Sequence, residues 1–201
     1  MRVTFRSGAL DLEGDLLFPP GCAQAAVVCH PHPQYGGDMD NSVVCAIGRA
    51  LQQAGYATLR FNFRGVGAST GVYGGGAGEI EDARNAVRYL REHGGGARIT
   101  LAGYSFGALV GLQAGMAMEE VDRLIAVAPP LAFADLAFLS QCEKEKLFIV
   151  GERDQFCSPA KLREALARIA EPKTLRIVPG ADHFFAGHER SVADALAELL
   201  H

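Results

Sequence analysis

The sequence predicts an α/β fold: a mostly parallel central sheet with antiparallel N-terminal strands and helices on both faces. Three observations carry this. Near the start, Val3-Thr4-Phe5-Arg6 and Leu10-Asp11-Leu12-Glu13 alternate with period two, the pattern of a hairpin with one face in the core. After Pro19-Pro20 the pattern becomes a continuous apolar run, Ala25-Ala26-Val27-Val28-Cys29, the mark of a strand covered on both faces. From there strand-like and helix-like segments alternate, which calls for parallel strands joined by crossover helices.

The elements follow in order. After the hairpin, strands are expected at residues 25–29, 57–63, 98–102, 123–128, 146–150 and 173–178. Helices are expected at 42–54, 78–92, 106–119, 159–170 and 189–200. Gly74-Gly75-Gly76 and Gly94-Gly95-Gly96 read as loops, because glycine is a poor helix former. Residues 129–145 leave room for a short helix around 133–139, and too little for a multi-helix lid.

Composition bounds the function. A chain of 201 residues fits one domain spanning 1–201. Lys+Arg 19 against Asp+Glu 23 gives a net charge of -4, so no basic excess is available for phosphate backbones and nucleic acid is not an expected partner. No apolar stretch approaches the roughly 18 residues a membrane helix needs. Charges in the first fifteen residues stand where a secretory apolar region would be. No membrane partner and a cytoplasmic location are expected. Cys22, Cys29, Cys45, Cys142 and Cys157 are odd in number and form no CxxC, which reads as free thiols in a reducing compartment. The 24 glycines cluster at loop positions, as tight turns beside a site needing backbone access would require.

In sheets of this kind the reactive groups collect just past the carboxyl ends of the strands. Gly103-Tyr104-Ser105-Phe106-Gly107 matches G-x-S-x-G, which sets a serine on a strained strand-to-helix turn. Gly67-Ala68-Ser69-Thr70-Gly71 is a second copy, but it leads into a glycine-rich stretch that cannot be a helix. Ser105 is therefore the candidate nucleophile, and Ser69 a loop serine. A serine hydroxyl needs a base, and the base needs an orienting acid. His183 follows the last strand through Pro179-Gly180-Ala181-Asp182, and Asp154 lies just past the strand 146–150. His188 is the weaker base candidate, at the start of the last helix. Asp135 is the weaker acid, Asp182 reads as a turn residue, and His93 reads as a helix cap. The chain order Ser105, Asp154, His183 is that of an α/β-hydrolase rather than of the chymotrypsin or subtilisin arrangements.

Along most of its length the chain resembles a small α/β-hydrolase of the serine-esterase and dienelactone-hydrolase-like branch. The resemblance is carried by His30-Pro31-His32-Pro33-Gln34-Tyr35-Gly36-Gly37-Asp38-Met39, by the Ser105 elbow and by Gly180-Ala181-Asp182-His183-Phe184-Phe185. Phe63-Arg64-Gly65-Val66-Gly67-Ala68-Ser69 resembles the R-G-x-G-x-S loop of that superfamily. Dienelactone hydrolases proper carry cysteine at the elbow, where this chain has serine.

The resemblance implies the α/β-hydrolase fold and a serine hydrolase that cleaves small acyl esters through an acyl-enzyme at Ser105. No cofactor is implied. One oxyanion donor would be the N–H of Phe106. The second would come from the loop after the first parallel strand. Pro31 and Pro33 have no N–H to give, so the candidate is His32, with Tyr35 as fallback. The candidate pocket residues are Tyr35, Phe106, Phe133, Phe138 and Phe184, around a small-molecule acyl substrate with short acyl groups preferred. His30-x-His32 with Asp182-His183 imitates a metal site, but the prolines restrict how the imidazoles converge, and no metal is expected. Two other readings share the fold: a non-hydrolytic ligand-binding protein, and acyl transfer to an acceptor other than water. The sequence carries no signal of oligomeric state.

Overall fold

The N-terminal alternation folds as a hairpin in this computed structural model, which describes residues 1–93 and 98–200. The loop expected at Gly94-Gly95-Gly96 lies outside the described residues. Strand β1 (Arg2–Ser7) pairs antiparallel with β2 (Leu10–Leu17), Phe5 opposite Leu12. Phe5, Leu12 and Leu16 are buried, while Thr4 and Arg6 on either side of Phe5 are exposed. Strand β2 then pairs antiparallel with β4 (Tyr56–Phe61). The strands β3 (Gln24–Cys29), β5 (Arg98–Tyr104), β6 (Val121–Val127), β7 (Glu145–Gly151) and β8 (Lys173–Val178) complete the sheet with parallel pairings. The sheet is eight-stranded, in the order β1-β2-β4-β3-β5-β6-β7-β8.

The continuous apolar strands are explained by two cores. Helices α1 (Ser42–Gln53) and α5 (Glu189–Leu200) cover one face. Helices α2 (Ala77–Glu92), α3 (Phe106–Gly115) and α4 (Pro159–Leu166) cover the other. In β3, Ala25, Val27 and Cys29 enter the α2–α4 core, and Ala26 and Val28 enter the α1–α5 core. A strand with apolar demands on both sides has no position left for a polar residue. Two helix starts are set by side chains: the Asn41 side chain accepts the N–H of Val43 and Val44, and Ser158 accepts that of Lys161 ahead of Pro159.

Among the boundaries that differ from the sequence expectation, three have a clear local cause. Helix α3 ends at Gly115 rather than at 119. The chain there turns tightly into β6, and Lys144 Nζ donates to the carbonyls of Met118 and Val121. Helix α4 ends at Leu166 rather than at 170. The N–H groups of Arg168 and Ile169 reach back three residues, to Ala165 and Leu166, and Pro172 follows. Strand β4 stops at Phe61 rather than 63, because Asn62 and Phe63 are drawn into loop contacts: Met39 N–H donates to the Asn62 side chain, and Phe63 N–H donates to His30. Between β6 and β7 only one turn of 3-10 helix forms, Ala137–Leu139, so among the described residues no lid covers the carboxyl edge of the sheet.

The connection from β4 to α2 runs along that edge and is tied down by charge. Asp82, fully buried on α2, accepts from Arg64 Nε, Nη2 and backbone N–H at 2.9, 2.7 and 3.0 Å, and from Ser7 Oγ at 2.6 Å. Glu79, also fully buried, accepts the N–H groups of Gly74 and Gly76, each at 2.7 Å. Ser69 is a structural turn residue. Its hydroxyl donates to Asn62 O at 2.8 Å and accepts Glu13 N–H at 3.0 Å.

Candidate active site

Ser105 sits between the end of β5 and the first residue of α3, with φ 54 and ψ -119. That region is costly for any residue with a Cβ, of the order of 1–3 kcal/mol. The surroundings enforce it. Ser105 N–H donates to Val127 O at 2.9 Å. The flanking glycines have no room for side chains: a Cβ at Gly103 would lie 2.2 Å from Gly107 O, and one at Gly107 would lie 2.4 Å from His30 O. G-x-S-x-G is thus a packing requirement, since α3 can leave β5 this sharply only where backbone meets backbone.

The turn presents the Ser105 hydroxyl to His183, Oγ to Nε2 at 2.9 Å. His183 Nδ1 lies 2.9 Å and 3.1 Å from the two oxygens of Asp154. Asp154 is buried just beyond β7, and its Oδ1 also accepts the N–H of Phe156 and Cys157. A carboxylate so placed takes the imidazole N–H at Nδ1, leaving Nε2 as the acceptor that faces the serine. The His183 loop is braced by Tyr104, whose hydroxyl donates to His183 O at 3.0 Å. Burial pushes the Tyr104 phenol well above its ordinary pKa, so it remains a donor. The three residues expected to act together are one hydrogen-bonded chain.

The other candidates fall elsewhere. His188 precedes α5, and its carbonyl accepts Val192 N–H. Asp182 Oδ1 accepts the N–H of Phe184 and Phe185 in the turn, and His93 Nδ1 contacts Tyr89 O at the end of α2. Asp135 caps the 3-10 turn through Ala137 N–H. His30 engages both ring nitrogens with backbone: Nδ1 with Pro31 O at 2.6 Å, and Nε2 accepting Phe63 N–H at 3.0 Å. It pins the loop after β3 to the loop after β4.

At the oxyanion side, Phe106 opens α3, where an N–H has no acceptor within the helix. The His32 ring centroid is 4.7 Å from that of Phe106. Tyr35 N–H is taken by His32 O at 3.1 Å, which removes the fallback donor. Among the described residues the His32 N–H meets no backbone acceptor.

A cavity of about 830 Å³ opens over Ser105 and His183. Tyr35, Phe106, Phe133 and Phe184 line it as expected. Phe138 does not: it packs against the α2–α4 core, because the 3-10 turn carries it inward beside Leu139. Phe156 and Tyr73 line the cavity in its place. Phe156 lies against the His183 ring, edge to face at 4.9 Å. Its signal in the sequence was its position two residues past Asp154. Tyr73 stood in a glycine-rich stretch whose only legible property was that it is not a helix.

Comparison with known proteins agrees with this fold. The family described as alpha/beta hydrolase fold matches residues 26–145. An uncharacterized protein of Rickettsia prowazekii (strain Madrid E) is 34% identical, covering 89% of this chain and 79% of its own. An alpha-beta serine hydrolase homologue from Coxiella burnetii superposes with TM-score 0.93 at 33% identity, covering 100% of this chain and 97% of its own. A lidless α/β serine hydrolase from Xanthomonas campestris gives TM-score 0.84 at 34% identity, covering 98% and 92%. With this fold, these relatives and a serine on the strained turn, the chain belongs to the alpha/beta hydrolase family.

Proposed function

We propose that this protein is a serine hydrolase that cleaves small acyl esters through an acyl-enzyme at Ser105. The observation that carries the reading is the continuous relay from Ser105 Oγ to His183 Nε2 at 2.9 Å and from His183 Nδ1 to Asp154 at 2.9 Å. In this reading His183 takes the serine proton as Oγ attacks the ester carbonyl, then gives it to the leaving alcohol. Asp154 holds the imidazole in the required tautomer and stabilises the imidazolium. The backbone N–H groups of His32 and Phe106 receive the oxyanion, each such donor being worth about 3 kcal/mol. Water, activated by the same His183, then releases the acid. Short acyl esters are favoured over long-chain lipid esters because, among the described residues, no lid shields a long chain. A methylene gains about 0.8 kcal/mol only where a wall buries it, and Tyr35, Phe133 and Phe184 at the mouth are themselves more than half exposed.

The test is kcat/KM for p-nitrophenyl esters from acetate to palmitate. Acetate and butyrate should exceed palmitate by tenfold or more, a ratio of about 1.4 kcal/mol. Ser105→Ala should abolish turnover of all of them. A preference for palmitate, or turnover surviving in Ser105→Ala, contradicts the reading.

A further inference from the structure

Tyr73 stands in the cavity wall beside His32, its ring centroid 5.0 Å from the imidazole. Their shared proton can be assigned. Gln34 N–H donates to His32 Nδ1 at 3.2 Å. An amide N–H can only donate, so Nδ1 carries no proton. Burial holds the imidazole below its ordinary pKa, so the ring is neutral and its one proton is on Nε2. Nε2 lies 3.3 Å from Tyr73 Oη, which therefore accepts. The phenol keeps its own proton, and among the described residues no side chain or backbone group takes it.

That spare donor is held in place. Glu79 accepts the N–H groups of Gly74 and Gly76 at 2.7 Å each, clamping the residues that follow Tyr73. The Phe106 ring lies beside that of Tyr73, centroids 6.1 Å apart, and carries no acceptor; Gln113 and Asn41, which do, line the same cavity without a hydrogen bond to Tyr73. His32, whose N–H is the proposed oxyanion donor, also holds Tyr73, so the phenol stands one side chain from the proposed oxyanion position. A site with a fixed donor discriminates against a ligand that leaves the donor unpaired.

We propose that Tyr73 is a specificity-determining hydrogen-bond donor, and that this site takes acyl groups bearing an oxygen acceptor close to the scissile carbonyl, of the 3-oxygenated class. The proposal rests on the ester-hydrolase reading of Ser105 and refines it. The alternative role for Tyr73 is a brace that only orients the His32 ring.

The two roles separate in the selectivity between methyl 3-hydroxybutanoate, as both enantiomers, and methyl butanoate. The electronic difference between the esters is common to every enzyme variant and cancels in the comparison. Tyr73→Phe should lower the kcat/KM ratio of the oxygenated to the plain ester about five- to tenfold. An equal loss on both esters would make Tyr73 a brace, and no change in the ratio would overturn the proposal. A second readout does not need turnover. Bound to Ser105→Ala, 3-hydroxybutanoate should exceed butanoate in affinity by a similar factor, and Tyr73→Phe added to that variant should remove the difference. If the wild-type protein hydrolyses neither these esters nor the p-nitrophenyl esters, the hydrolase reading fails, while the binding comparison still decides the role of Tyr73.

Discussion

Ser105 shows how a motif becomes a conformation. Its φ of 54 is enforced by Gly103 and Gly107, whose missing Cβ atoms leave space for Gly107 O and His30 O. The strain predicts a split between stability and function. Ser105→Gly removes the Cβ and Ser105→Ala keeps it, while both lose the hydroxyl. Urea unfolding should therefore show the glycine variant more stable than the alanine variant by about 1–2 kcal/mol, with neither active. Equal stabilities would mean the turn is unstrained. At this scale Ser105, His183 and Asp154 were legible as one group because each lies within a short loop past the end of a strand, at Tyr104, Val178 and Gly151. Phe138 was misassigned because an exposed-looking phenylalanine between two strands carries no mark of which way a single 3-10 turn will face it. Tyr73 was missed because its partner His32 lies 41 residues away in sequence.

The elements were legible where the apolar period is long, as in β8 (Lys173–Val178) and α5 (Glu189–Leu200). They were less so at ends set by tertiary contacts, such as β4 stopping at Phe61. The β4–α2 connection makes the point most clearly. Its order comes from Asp82 and Glu79, acidic residues on a helix that periodicity alone would leave facing solvent. Asp82 instead carries four hydrogen bonds at 0% exposure. Removing it strands a guanidinium that is only 19% exposed. Asp82→Ala should destabilise the fold by about 3–5 kcal/mol, measured by urea unfolding at pH 7. A loss below about 1 kcal/mol would place Arg64 in water and remove the tether from the account.

For the whole molecule, the buried His30 links folding to pH. Burial pushes its pKa down from 6.5 to about 4, and its hydrogen bonds, accepting at Nε2 and donating at Nδ1, require the neutral ring. The unfolded chain takes the proton first, near pH 6.5. The His30 contribution to stability is therefore constant above that pH and is lost as pH falls from 6.5 toward 4, to about 3 kcal/mol in all. His30→Asn should be less stable than wild type at pH 7, and should lose less further stability between pH 7 and pH 5. If both proteins lose the same amount, His30 is not the acid-sensitive group.

The proposed function of the whole molecule turns on Ser105 being a nucleophile activated by His183. The most direct measurement is the rate and position of labelling by a fluorophosphonate, followed by intact mass and peptide mapping. One adduct is predicted, on Ser105, forming slower in His183→Ala by about a hundredfold or more. An adduct on another residue, or wild-type labelling of Ser105 without His183, would contradict the account.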